Sequence, residues 1–127
     1  MQAFLIELID EVGDFARVAA VIADKGINIT GFSGASRGAG GTAVVTVADG
    51  DLSAMRSALQ GIPVGYREYE LVEVPLANVV GSLSTATGKL AEAGVGIEAA
   101  LPTGMDNQSV TIAFAVSDPN TARNLLL

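Results

Sequence analysis

Residues 10–30 read DEVGDFARVAAVIADKGINIT, and the order of residue types in this stretch dictates a helix held between two strands. Phe15, Val18, Ala19 and Ile22 recur at the i, i+3, i+4, i+7 spacing of one buried helix face. Gly26 follows the last turn, where a residue able to take left-handed backbone closes a helix C-terminus. Ile27 and Ile29 then alternate with the period of a strand. The helix N-terminus therefore faces the loop that leaves the preceding strand, an acidic turn closed by Gly13.

The rest of the chain limits what this unit can do. At 127 residues and 50% hydrophobic side chains there is enough apolar material for one ordinary core or two small ones, in a globular, soluble protein. No apolar run approaches the roughly 18 residues of a membrane span, and the N-terminus is acidic where a signal peptide would be basic, so a cytoplasmic location is expected. Without cysteine there are no disulfides or thiolate ligands. Without histidine the commonest general base and metal ligand is missing too. Nothing in the sequence calls for a catalytic group, a metal or a cofactor. A net charge of -7 repels nucleic-acid backbones and anionic lipid surfaces, so neither is expected as a partner.

The same unit occurs twice. Ile97 falls on Ile29 at a shift of 68 positions, 97 minus 29, and the same shift lays Gly94 on Gly26, Leu90 on Ile22, Leu83 on Phe15 and Gly81 on Gly13. Upstream, Val72, Val74 and Leu76 fall on Phe4, Ile6 and Leu8, so the inward parity of the preceding strands agrees. Asn78 falls on Asp10 and Ser82 on Asp14; all four are good helix caps, and either position of each pair can be the cap. Further on, Ile112, Phe114 and Val116 match Ala43, Val45 and Val47 with one residue added between.

In the first unit, residues 3–9 alternate as a strand, 15–25 form the helix and 27–36 a second strand. The glycine-rich residues 37–41 turn the chain into a third strand, 42–48, and a helix follows from Asp49 with Leu52, Met55 and Leu59 inward. A fourth strand, 64–69, runs directly into 70–76, the first strand of the second unit, where Pro75 is a place for a break or an edge. That unit continues with a helix over 82–93, strands over 95–102 and 109–116, and a helix over 119–127. The expected fold is α+β, two ferredoxin-like βαββαβ repeats divided at residues 69 and 70, the second lacking its last strand.

The acidic turn, the glycine, the amphipathic helix and the Gly26-Ile27-Asn28-Ile29 ending resemble an ACT domain, and the duplication resembles small stand-alone tandem ACT proteins. The resemblance covers nearly the whole chain. It departs from the family pattern where Val12 and Val80 replace the usual proline before the turn glycine, and where Gly96 replaces the asparagine matched by Asn28.

The resemblance implies a regulatory protein that senses a small amino acid and modulates a partner enzyme or regulator. The ligand is expected where two such domains meet, at Asp10, Glu11, Val12, Gly13, Asp14 and Phe15 before and at the first helix, and at Asn28, Ile29 and Thr30. In the second unit the matching set is Asn78, Val80, Gly81, Ser82 and Gly96. The chemistry is suitable. A helix N-terminus can hold a carboxylate, Asp10, Glu11 or Asp14 can hold an ammonium, and Asn28 can address either end of a zwitterion. Each residue also has a plain structural reading, as turn glycine, cap or strand entry. The aromatics Phe32, Phe114, Tyr66 and Tyr69 read as packing residues.

Other classes fit less well. An acylphosphatase would need an arginine and an amide at one phosphate cradle, and an RNA binder would need exposed aromatics and a basic face. The serious competitor is a structural adaptor that dimerises without ligand. A homodimer is expected in either case, because an incomplete second sheet leaves a strand edge or apolar surface to cover.

Overall fold

The computed structural model describes residues 1–9, 12–38 and 40–127. They form two compact units, Met1–Tyr69 and Glu70–Leu127. Unit one holds β1 (Gln2–Leu8), α1 (Asp14–Asp24), β2 (Ile29–Ser36), β3 (Gly41–Val47), a 3-10 turn (Asp49–Asp51), α2 (Leu52–Gln60) and the start of β4 (Tyr66–Ala77). The continuation of β4, α3 (Ser82–Glu92), β5 (Ile97–Met105), β6 (Ser109–Val116) and α4 (Pro119–Leu126) make unit two. In unit one β3 pairs antiparallel with both β1 and β2. In unit two β6 stands likewise between β4 and β5. The fold is α+β with the ferredoxin-like order in each unit.

Each helix pair covers one face of its strands because the strand parity and the helix stripe place their apolar residues together. In unit one Phe4, Ile6, Val45 and Val47 meet Val18, Ile22, Met55 and Leu59. In unit two Val72, Val74, Phe114 and Val116 meet Leu90 and Ala122. The helices α1 and α3 end alike: Gly26 has φ +73° and Gly94 φ +72°, a conformation that costs L side chains roughly 1–2 kcal/mol. Among the described residues no helix is long and apolar enough to cross a membrane.

Three local expectations are corrected. The residue at the cap of α1 is Gly13 and at that of α3 Gly81, neither with a side-chain cap, so Asp14 and Ser82 are not caps. The reason is the tight turn before each helix, which places a glycine at φ +93° and +90° where the cap would stand. Asp10 and Glu11 lie outside the described residues. The second helix does not start at Asp49, because a 3-10 turn precedes it. Pro75 interrupts nothing: β4 continues through it to Ala77, with Pro75 opposite Thr111.

The one side-chain cap is on α4, among the four α-helices described. Asp118 accepts from the Thr121 backbone N–H at 3.1 Å and from the Thr121 hydroxyl at 2.6 Å. These bonds, the hydroxyl first, hold its carboxyl below the usual carboxylate range. A folded pKa below the unfolded one stabilises above the unfolded value and is lost as pH falls through the folded value. Asp118→Ala is therefore expected to be less stable than wild type at neutral pH and to converge with it in acid. Urea unfolding at both pH values measures this, and a constant difference would exclude the cap.

Candidate ligand-binding site

The first turn of α1 opens onto a cleft of about 430 Å³. Gly13, Asp14, Phe15 and Ala16 form its helical side, Phe32 and Ser36 come from β2, Thr42 from β3 and Leu8 from the end of β1. The N–H groups of a first helical turn have no partners within the helix and carry the positive end of its dipole. Gly13 contributes by lacking a side chain: the nearest atom to a Cβ built there is an Arg17 guanidinium nitrogen 3.9 Å away. Carboxylate-holding groups thus stand at one side of the cleft, with residues of β2 and β3, among them Ser36 and Thr42, on the other.

The apolar wall is a pair of stacked rings. Phe15 and Phe32 lie 5.3 Å apart between centroids with 25° between their planes, and Phe32 is 62% exposed. Phe32 was expected to be a packing residue, and it packs on Phe15 at the surface of the cleft. A β-bulge puts it on the helix-covered face, where it meets Phe15. Ile29 pairs with Val47 but Gly31 with Thr46 and Phe32 with Val45, so one extra residue turns Phe32 onto the same face as Ile29. Strict alternation from Ile29 would have put it on the other face.

Asp14 is 7% exposed. Its carboxylate accepts the Ile9 N–H at 3.0 Å and forms an ion pair with Arg17 one turn on. It lines the cleft as a charge already partnered.

Asn28, Ile29 and Thr30 are elsewhere. They enter β2 after the C-terminus of α1, and an eleven-residue helix about 16 Å long stands between them and Gly13. No single amino acid touches both groups within unit one. Asn28 is exposed, Ile29 packs on the core, and the Thr30 hydroxyl is 2.9 Å from that of buried Thr46. Val12 is fully exposed beside the cleft.

The matching positions Asn78, Ser82 and Gly96 of unit two make hydrogen bonds within that unit. The Ser82 hydroxyl donates to the Ala77 carbonyl at 2.6 Å and lies 3.1 Å from that of Val79. Asn78 N–H donates to the Gln108 carbonyl at 2.8 Å, and Gly96 N–H to the Ser117 hydroxyl at 2.9 Å. Val80, like Val12, is fully exposed. The sequence reading missed Leu8, Ser36 and Thr42 as well as Phe32 in unit one. The only sequence signal for the last is a second aromatic in the strand that follows Phe15.

No protein-family model matches the chain, and no curated protein is significantly similar to it. Solved structures do match. A protein from Bacteroides thetaiotaomicron superposes with a TM-score of 0.77 at 22% identity, over 98% of this chain and 84% of that one. The regulatory subunit of aspartate kinase from Thermus flavus gives 0.67 at 18% identity, over 89% and 80%. The ligand-free regulatory subunit of aspartate kinase from Thermus thermophilus gives 0.64 at 18%, over 98% and 87%. The tandem ACT-type fold expected from the sequence is the fold these comparisons support.

Proposed function

We propose that the chain senses a small amino acid and passes its presence to a partner enzyme or regulator. The observation that carries the reading is the cleft at the N-terminus of α1, which combines carboxylate-holding N–H groups, the Asp14 carboxylate and the Phe15–Phe32 wall. The ligand's carboxylate would lie at the helix end, its ammonium toward Asp14 and its side chain against the rings. The regulatory subunits that share the fold lend support, since a fold alone hosts many functions. Asn28 enters this reading from a second copy of the chain, because α1 keeps it from the cleft of its own unit. The site is then completed by a homodimer.

The alternative is a ligand-free adaptor. It is favoured by Val12 and Val80, fully exposed at the same loop of both units, which are apolar tips suited to docking.

A thermal-shift screen against the proteinogenic amino acids separates the two readings. A ligand at 100 times its dissociation constant adds about 2.7 kcal/mol. Asn28→Ala is expected to weaken that ligand by about 1 kcal/mol or more through a lost charge-assisted hydrogen bond. Light scattering on the same samples should show a dimer. No shift with any amino acid at millimolar concentration leaves the adaptor. A shift undiminished in Asn28→Ala removes Asn28 from the site.

A further inference from the structure

The floor of the unit-one cleft is set by the strand faces beneath α1. Residues directly opposite in an antiparallel pair share a face, so Phe32 stands beside Val45 and Gly34 beside Ala43. That face is the one the helices cover, since Ala43 and Val45 belong to the core of the unit. Next to Phe32 the sheet therefore offers nothing larger than a methyl group, at Gly34 and Ala43, both of which line the cleft. Its own backbone does not require glycine at position 34. Gly34 is not among the glycines of positive φ, and a Cβ there would lie 3.5 Å from the Thr42 carbonyl oxygen and 4.0 Å from the Ala43 Cα, ordinary contact distances. A glycine inside a strand weakens it, and it often marks a place that a ligand approaches closely.

Unit two supplies an independent comparison. By the repeat alignment Gly34, Ala43, Phe32 and Phe15 fall on Pro102, Ile112, Ala100 and Leu83. The ladders agree: Pro102 pairs with Ile112 as Gly34 does with Ala43, and Ala100 with Phe114 as Phe32 does with Val45. Unit two thus sets two side chains where unit one keeps a bare shelf, and it replaces both rings of the wall with aliphatic residues. The fold does not need the stacked rings or the shelf, since the second repeat is built without either. The two features occur together, in the repeat that has the cleft at its α1 turn.

We infer that this cleft selects an amino acid whose side chain is a flat ring, seated over Gly34 and Ala43 against Phe32. The inference rests on the sensing function proposed above and names its ligand class. Phe15 takes one side of Phe32, with 25° between the planes, and the 62% exposure of Phe32 leaves surface for a third ring. Aromatic pairs gain beyond their buried area, because the edge of one ring is attracted to the face of another. An aliphatic side chain of equal size gains the burial alone. The cleft, at about 430 Å³, lies within the roughly 300–1,000 Å³ of small-molecule sites.

The test is calorimetric titration of the full chain with L-phenylalanine, L-tyrosine, L-tryptophan and L-histidine, against L-leucine, L-methionine and L-cyclohexylalanine. The last has nearly the size of phenylalanine without its aromatic faces. The tightest ring amino acid is expected to bind at least about fivefold more tightly than any of the other three, as ring pairing predicts. Gly34→Val puts a branched side chain on the shelf and should abolish that binding; a dispersed NMR spectrum shows that the variant is folded. Phe32→Leu keeps the wall apolar, and in it the preference should fall to within about twofold while binding persists. Leucine, methionine or cyclohexylalanine binding as tightly as the best ring would overturn the inference and leave the sensing function standing. Undiminished ring binding in Gly34→Val, or an unchanged preference in Phe32→Leu, would do the same. No binding of any of the seven at millimolar concentration overturns it as well, and the thermal-shift screen across all the amino acids then decides whether the sensing function falls with it.

Discussion

Ile22→Ala and Leu90→Ala are expected to destabilise the chain by about 2–5 kcal/mol each, from lost transfer energy and the cavity left behind. The two residues stand at the same place in the two repeats, two residues before the helix ends, at 1% and 0% exposure. Each touches the core strands of its unit, Ile22 among Phe4, Val45 and Val47, and Leu90 among Val72, Phe114 and Val116. Their backbone carbonyls also accept the N–H of Ile27 at 3.3 Å and of Val95 at 2.9 Å, bonds that the alanine variants keep, so the expected loss is that of the side chain alone. Leu83→Ala is the control. It follows the repeat alignment onto Phe15 but is 51% exposed, and the change should cost within about 0.5 kcal/mol. Guanidinium unfolding of the three variants decides it: a cost for Leu83→Ala equal to that of Leu90→Ala would mean that the helix face is misassigned.

That contrast shows what the sequence makes legible. The helix stripe, the strand parity and the closing glycines are local patterns, so Gly26 and Gly94, with left-handed backbone, and the buried Ile22 and Leu90 could be read directly. Phe32 could not, because its direction depends on a bulge that exists only when β2 pairs with β3. The candidate site was half legible. Gly13, Asp14 and Phe15 line one cleft as a group, since they are consecutive. Asn28 was joined to them by resemblance, and within one unit the length of α1 separates them. Residue type misled at the caps: Asp14 and Ser82 are good cap residues, but the turn seats glycine at the cap and turns Asp14 toward Ile9 and Ser82 toward Ala77.

Gly41→Ala is expected to cost about 1–3 kcal/mol, the usual range for overpacking where neighbours must move. A Cβ at Gly41 would stand 2.9 Å from the Ala35 carbonyl oxygen and 3.4 Å from the Ser36 Cα. Both are backbone atoms of the paired strand, so no flexible side chain can yield. Gly41 is opposite Ser36 on one side and Leu8 on the other, and any shift passes to both ladders of β3. It also lines the cleft, as do Ala35, Ser36 and Thr42, so the same displacement should weaken any ligand held there. Gly38 separates crowding from conformation. It has φ +62° with nothing within 4 Å of a Cβ, and asparagine tolerates that backbone, so Gly38→Asn should cost well under about 1 kcal/mol. Urea unfolding gives the stabilities, and amide exchange at Ala35 and Ser36 locates the damage. If Gly38→Asn proves the more harmful, the hairpin end is limited by its turn and not by the close approach of β2 and β3.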